Sequence, residues 1–359
     1  MAEDVTVRRF RRTDEADALR LLLTKVAPEE RDKVLEERLV RWRWQYYENP
    51  SNPGAEPILW VAESAGAMVG LVCPLAVRLR TPGGLVGASW CNDWIVDKAH
   101  RGTGLGWKLE EAWIKTFPVA LGRGWSERAY AVSVKLGMVT VGGFQRVWIV
   151  LSRLAFGRLL AASGQYRRLW QAARVMPRLG LPAKDAAGIT SSVSQAVPED
   201  AGSLWGEVSG RYAFSVERDP VHLNWRYARH PRHKYRFVEA RVARRLAGLA
   251  VVRLTSDSPP VGVICDVIAD PGDRPVVASL LGASLDLLRS AGACAVVADF
   301  PPAMADCFAA VRRPALRGEI KILVSDNNKA YGSQGIFGAD SWYLSMGDSD
   351  LDFSDRMMG

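Results

Sequence analysis

Cysteine is sparse and unpaired in this chain. There are five in 359 residues (Cys73, Cys91, Cys265, Cys294 and Cys307), an odd number with no Cys-x-x-Cys spacing. That argues against a disulfide-framed secreted domain and against a thiolate zinc site. Most of these cysteines stand in apolar, strand-like runs, where the residue behaves as a small buried hydrophobe. A reducing cytoplasm is the expected compartment. Histidine is scarcer still, with four residues, three of them at His222, His230 and His233. That spacing misses the His-Glu-x-x-His pattern of a zinc helix, so no metal is expected. No apolar run approaches the ~20 residues that cross a bilayer. The opening Met1-Ala2-Glu3-Asp4 is acidic, unlike a secretory leader. No RRM, zinc-finger or helix-turn-helix signature is present, which argues against nucleic acid as a partner.

What is abundant points to a folded protein of more than one domain. Apolar residues make up 48% and charged residues 24% of the chain, a balance that buries a core. At roughly 100–200 residues per domain, two domains are expected. The net charge of +8 attracts acidic partners: nucleic acid, an anionic membrane or a phosphorylated ligand. Thirteen tryptophans include the run Arg41-Trp42-Arg43-Trp44, whose mixture with charge suggests a binding surface or a domain seam.

The chain repeats itself. Trp44-Gln-Tyr46-Tyr-Glu-Asn49-Pro50 has a counterpart in Trp225-Arg-Tyr227-Ala-Arg-His230-Pro231, Met68-Val-Gly70-Leu-Val72 in Leu246-Ala-Gly248-Leu-Ala250, and Asp93-Trp-Ile95-Val-Asp97 in Asp266-Val-Ile268-Ala-Asp270. The three matches keep their order while their separation shrinks, as shorter loops in a second copy would produce. Each copy reads as strand, helix, Trp-x-Tyr segment, hairpin, fourth strand, long helix and further strand. The expected fold class is therefore α/β (α+β), with two tandem mixed sheets flanked by helices. The expected domains are residues 1–152 and 189–359. Residues 153–188 form a basic helical connector that packs between domains in preference to a membrane surface. The tail Trp342 to Phe353, with Asp348, Asp350 and Asp352, is expected to be a solvated acidic end.

Chemistry concentrates in Asn92-Asp93-Trp94-Ile95-Val96-Asp97-Lys98-Ala99-His100-Arg101-Gly102-Thr103-Gly104-Leu105-Gly106. A strand runs into Arg-Gly-x-Gly-x-Gly and directly into a helix. Glycines let the main chain approach a ligand closely, and unpaired amides at the helix start suit a pyrophosphate. The spacing is not the Gly-x-Gly-x-x-Gly of a dinucleotide fold, and the Gly-Lys-Ser/Thr of a Walker loop is missing. A glycine turn without a ligand is the remaining alternative.

Val96 through Gly106 resembles the acyl-CoA-binding signature of the GNAT (Gcn5-related N-acetyltransferase) superfamily, with Arg101, Gly104 and Gly106 at the signature positions. The resemblance covers the first copy. It implies that amides of Arg101, Gly102, Thr103, Gly104, Leu105 and Gly106 hold the pyrophosphate of acetyl-CoA or another acyl-CoA. It implies too that Trp94, Ile95 and Val96 leave the neighbouring strand to pair with the pantetheine arm. The family's general-acid tyrosine position falls on Ser133, with Tyr130 one turn earlier; Asp93 is the candidate base. After Asp270 the second copy reads Pro271-Gly272-Asp273-Arg274-Pro275, which lacks the loop, so this half is expected to be a degenerate twin.

The expected activity is acyl transfer from acyl-CoA to a small amine, such as an amino sugar. Two alternatives stay open: a FemAB-like transferase drawing on aminoacyl-tRNA, and a CoA-binding module without turnover.

Overall fold

The computed structural model describes residues 5–52, 54, 56–162, 188–309 and 315–353. The connector positions Gly164, Arg167, Arg168, Arg174, Pro177 and Arg178 lie outside them. The chain divides into two compact units, Met1–Val141 with Ile322–Phe337, and Gly142–Lys321 with Gly338–Gly359. Each has the mixed α/β architecture expected from its sequence.

The first unit contains β1 (Val5–Arg9), α1 (Glu15–Leu22), α2 (Arg31–Trp42), β2 (Trp60–Ser64), β3 (Ala67–Thr81), β4 (Gly84–Val96), α3 (Leu105–Ile114), β5 (Val119–Gly122), α4 (Glu127–Lys135) and the start of β6 (Val139–Val150). Strands β1 to β4 form an antiparallel run, and β5 joins β4 in parallel. Glu15 and Asp17 occupy the first turn of α1, where the helix dipole favours negative charge. Apolar side chains cover both faces of the sheet. Leu19 and Leu22 of α1 pack with Trp42 and Tyr46 over Leu71 and Ile95, while Leu105, Leu109 and Trp113 of α3 pack over Val72 and Ala120.

The second unit contains α5 (Arg153–Ala162), β7 (Ile189–Ser194), α6 (Ala201–Val208), β8 (Ser215–Val216), α7 (Pro220–Leu223), β9 (Arg236–Val242), β10 (Arg245–Leu254), β11 (Val261–Ala269), α8 (Arg274–Ser290), β12 (Ala295–Phe300), α9 (Ala305–Ala309) and most of β13 (Ala315–Asp326). Here β7, β9, β10 and β11 are antiparallel neighbours and β12 joins β11 in parallel. Phe156, Leu159 and Leu160 of α5 are buried with Trp205 and Leu223, so the described start of the connector is a packed helix.

Each unit is completed by sequence from the other copy. Residues Leu323 to Asp326 of β13 pair antiparallel with β5 in the first unit. Residues Gln145 to Val150 of β6 pair antiparallel with β12 in the second.

The repeated motifs mark positions where the fold constrains the residue. A Cβ on Gly70 would fall 2.8 Å from Leu109 Cδ1, and one on Gly248 would fall 2.7 Å from Leu280 Cδ1. In both copies the long helix lies so close to the sheet that a Cβ would force its leucine tip to move. Both Trp-x-Tyr segments are π-helical turns, Arg43–Tyr47 and Asn224–Ala228. Both end before an Asn-Pro or His-Pro pair, which expels the preceding residue from helical conformation.

Candidate functional site

The glycine loop follows β4. Asp97 Oδ1 accepts from the Ala99 amide (2.9 Å), which lowers the Asp97 carboxyl below its usual range. Arg101 Nε donates to Val96 O (3.1 Å) and Thr103 Oγ1 to His100 O (2.8 Å), so the loop is folded by its own groups. Gly102 and Gly104 both have φ of +84°, and a Cβ on either would meet nothing within 4 Å. Gly104 is the N-cap of α3 and offers no capping side chain. The first intrahelical donor is Lys108 N, bonded to Gly104 O (3.2 Å). Among the described residues the amides of Leu105, Gly106 and Trp107 have no partner in the first turn. Gly106 rests on the ring of Trp94: a Cβ there would lie 3.2 Å from it.

Beside this loop β4 leaves β5. The parallel pairing covers only Ala88↔Val119, Ser89↔Ala120 and Trp90↔Leu121, after which β4 runs on to Val96 with no strand partner on that side among the described residues. The pairing with β3 passes from Pro74↔Cys91 to Cys73↔Asp93, so Asn92 is a bulge. Asp97 N donates to Val69 O on β3 (2.8 Å). By strand alternation the main chains of Trp94 and Val96 point the other way, to the open edge. Val96 O, bonded by Arg101, lies on that edge. The structure thus brings Trp94, Val96 and the glycine loop together.

Asp93 lies on the opposite face of the sheet. Its carboxylate is 3.9 Å from Arg38 Nη1, beyond hydrogen-bond reach, and about a third exposed. Beneath it is the buried Tyr46, whose hydroxyl accepts from Gln45 Nε2 (2.9 Å) and the bulge's Asn92 Nδ2 (3.4 Å) and points to Cys73 O at 3.5 Å. Burial, with the nearby Cys73 and Asp93, holds the Tyr46 phenol well above its ordinary range. Arg38 had no sequence signal of its own; Asn92 stood out only as the start of the chemistry-bearing stretch, and Tyr46 only as part of the repeated Trp-x-Tyr segment.

The candidates on α4 do not converge with Asp93. Tyr130 is exposed and its hydroxyl meets Thr140 Oγ1 (2.7 Å). Ser133 is fully buried, and its hydroxyl lies against Glu110 Oε1 and Ala129 O (3.1 Å). Burial pushes the Glu110 carboxyl up to about 7, against the Ser133 hydrogen bond, which lowers it. Glu110 was not foreseen. Its one sequence signal is its place beside Leu109, on the face of α3 that packs inward.

The second copy shows the same bulge and a sealed edge. Cys265 is the extra residue between Val251↔Asp266 and Val252↔Ile264, and β11 likewise outruns its parallel partner, past Ile264 to Ala269. Here Tyr343 occupies the edge. Its hydroxyl accepts from Val267 N (3.1 Å) and lies 2.8 Å from Val267 O and 2.5 Å from Asp266 Oδ1. Asp266, the counterpart of Asp93, is 2% exposed and takes both oxygens to Arg218 Nε (3.1 and 2.9 Å), with Tyr227 donating at 3.0 Å. Arg218 also reaches Asp348 (2.7 Å), and Arg226 pairs with Asp352. The expectation of a solvated acidic tail is therefore wrong for Asp348 and Asp352. Both are buried because two buried guanidinium groups require counter-charge. The start of α8 is closed as well, since Asp273 Oδ1 accepts from Val276 N (3.2 Å).

Comparison with protein-family models gives no match, and comparison with curated proteins gives none. Solved structures do match. A GCN5-related N-acetyltransferase from Anabaena variabilis has a TM-score of 0.59 at 10% identity, covering 90% of this chain and 73% of that one. A tandem GNAT protein from the clavulanic acid biosynthesis pathway has a TM-score of 0.51 at 14% identity, covering 90% and 98%. N-myristoyltransferase from Saccharomyces cerevisiae, solved with bound myristoyl-CoA, has a TM-score of 0.53 at 12% identity, covering 91% and 83%. These likenesses are likenesses of fold.

Proposed function

We propose that this chain, which carries the GNAT fold in a tandem arrangement, binds an acyl-CoA in its first unit and transfers the acyl group to a small amine. The observation that carries the reading is the contrast between two equivalent edges. Tyr343 bonds the main chain of Val267 in one copy, while in the other the same edge, at Trp94, is left unpaired by β5 beside an uncapped helix start.

In this reading the pyrophosphate sits on the amides of Leu105, Gly106 and Trp107, in the space that Gly102 and Gly104 leave open. The pantetheine amides pair with the edge at Trp94 and Val96, as an added strand would. The thioester then lies near the Asn92 bulge, with a main-chain amide at residues 94–96 as donor to the developing oxyanion. The Asp93 carboxyl, 3.9 Å from Arg38 Nη1, accepts the proton of the attacking amine. The nitrogen attacks the thioester carbon, the tetrahedral intermediate collapses and the C–S bond breaks. The thiolate leaves unaided, because a thiol of pKa near ~8.5 needs no acid to depart. That fits a Ser133 hydroxyl committed to Glu110 and a Tyr130 hydroxyl committed to Thr140. An amino sugar is the acceptor class we favour.

The test is a thermal-shift titration with acetyl-CoA, longer acyl-CoAs and plain nucleotides. Ligand at 100 times Kd stabilises the native state by about 2.7 kcal/mol. Acyl-CoA should raise Tm in the wild type and leave Gly104→Glu unmoved, since that side chain meets a φ of +84° and brings a negative charge to the anion site. An equal response in the variant refutes the site. Salt-sensitive binding of tRNA without any response to CoA esters refutes the donor.

A further inference from the structure

At several places in this chain an arginine closes on a neighbouring carboxylate. Arg8 meets Asp14 at 2.8 Å, Arg289 meets Asp286 at 3.0 Å and Arg241 meets Asp200 at 2.9 Å. The last two side chains are 27% and 37% exposed, much as Arg38 and Asp93 are at 30% and 32%, yet Arg38 and Asp93 stop at 3.9 Å. Exposure to water therefore does not account for the gap. Among the described residues neither the Arg38 guanidinium nor the Asp93 carboxylate makes a hydrogen bond.

The second copy closes the same pair. Arg218 precedes Trp225 by seven residues, as Arg38 precedes Trp44 by six, and each arginine faces the aspartate that follows its strand's bulge. Arg218 Nε donates to both Asp266 oxygens, at 3.1 and 2.9 Å, and the two side chains are buried. In the first unit the pair stands apart and open to water. The groups beneath it bring no charge of their own. Cys73 is the cross-strand partner of Asp93, and Tyr46 lies against the bulge. Burial keeps the Cys73 thiol and the Tyr46 phenol protonated, well above their ordinary ranges. A guanidinium presents a fork that matches a carboxylate, and a carboxylate accepts from an ammonium. Set 3.9 Å apart, Arg38 and Asp93 can each hold one end of a zwitterion whose ammonium and carboxylate stem from a single carbon. A neutral amine answers Asp93 alone and leaves the Arg38 donors to water.

We propose that Arg38 and Asp93 together select an α-amino carboxylate as the acyl acceptor. The inference rests on the acyl-transfer reading above and narrows its amino sugars to those in acid form. The acceptor's carboxylate forks onto Arg38 and its nitrogen meets Asp93. Of the ammonium's three protons, one is lost to water on binding, one passes to Asp93 during attack and one stays on the new amide. The C–N bond forms and the C–S bond breaks, its electron pair leaving on sulfur. The test is calorimetric titration with glucosaminate and with glucosaminitol, in which a neutral alcohol replaces the carboxylate. It is run on the full chain alone and on the full chain saturated with CoA. Glucosaminate should bind about tenfold or more tightly than glucosaminitol. Arg38→Gln should bring that ratio near unity, and Arg38→Lys should restore part of it, whereas a residue that merely held α2 in place would weaken both ligands alike. Equal binding of the two, an unchanged ratio in Arg38→Gln, or absence of heat with either at millimolar amine would each overturn the proposal. A chain that prefers the acid but gives no thermal shift with acyl-CoA keeps the zwitterion site and loses the acyl donor. One that answers acyl-CoA and ignores the carboxylate keeps the donor and loses this site.

Discussion

Glu110 and Ser133 meet between two helices, away from water, and among the described residues Glu110 Oε2 has no hydrogen-bond partner. A carboxyl so placed resists ionisation, and its pKa rises from 4.5 to about 7. The folded state therefore holds this proton more tightly than the unfolded chain does. The stability it lends is complete below about pH 4.5 and is lost as pH rises through about 7. Replacing Glu110 by Gln keeps a partner for Ser133 and removes the titration. Measured by urea unfolding at pH 4.5 and pH 8, Glu110→Gln should gain about 3 kcal/mol on the wild type across that interval. No gain would mean that water reaches the carboxyl. Residues such as Glu110, Arg218 and Arg226 are where sequence reading fails, because charge type predicts exposure and only the three-dimensional partner reverses it.

At the scale of elements the sequence was more informative. Val5–Arg9 and Val261–Ala269 are strands with the limits their alternation and apolar runs imply, and the glycine loop opens α3 where Gly104 predicts. Local residue choice decides these features. The two bulges, at Asn92 and Cys265, have no local signature, since a bulge belongs to the register between two strands. The helix-to-strand contacts at Gly70 and Gly248 can be tested in parallel. Alanine at Gly248 meets Leu280 Cδ1 at 2.7 Å and Val276 Cγ1 at 2.8 Å, whereas at Gly70 it meets one such atom, Leu109 Cδ1 at 2.8 Å, and Ala62 Cβ at 3.2 Å. Both variants should lose about 1–3 kcal/mol in chemical denaturation, Gly248→Ala the more. A neutral result at either position would show that the facing leucine moves aside at no cost.

The two copies place one pattern in two different surroundings, and one substitution made twice separates the proposed roles. Asp93 is partly exposed and faces Arg38 at 3.9 Å; Asp266 is buried under Arg218, Tyr227 and Tyr343. Asp93→Asn should leave the unfolding midpoint nearly unchanged and lower kcat/KM for acyl transfer by about a hundredfold or more. Asp266→Asn should cost about 3 kcal/mol or more of stability, because Arg218 loses a buried counter-charge. It should leave acyl-CoA affinity in the surviving folded protein intact. If the two variants behave alike, the division of labour is wrong. The closing of each unit by distant sequence was invisible beforehand, for no composition or period near residue 323 announces a partner near residue 121. It has a consequence during synthesis. As the chain leaves the ribosome, β5 keeps a bare edge until some two hundred further residues have been translated, so the domain made first is finished almost last, and a nascent chain halted midway exposes a sticky strand to chaperones.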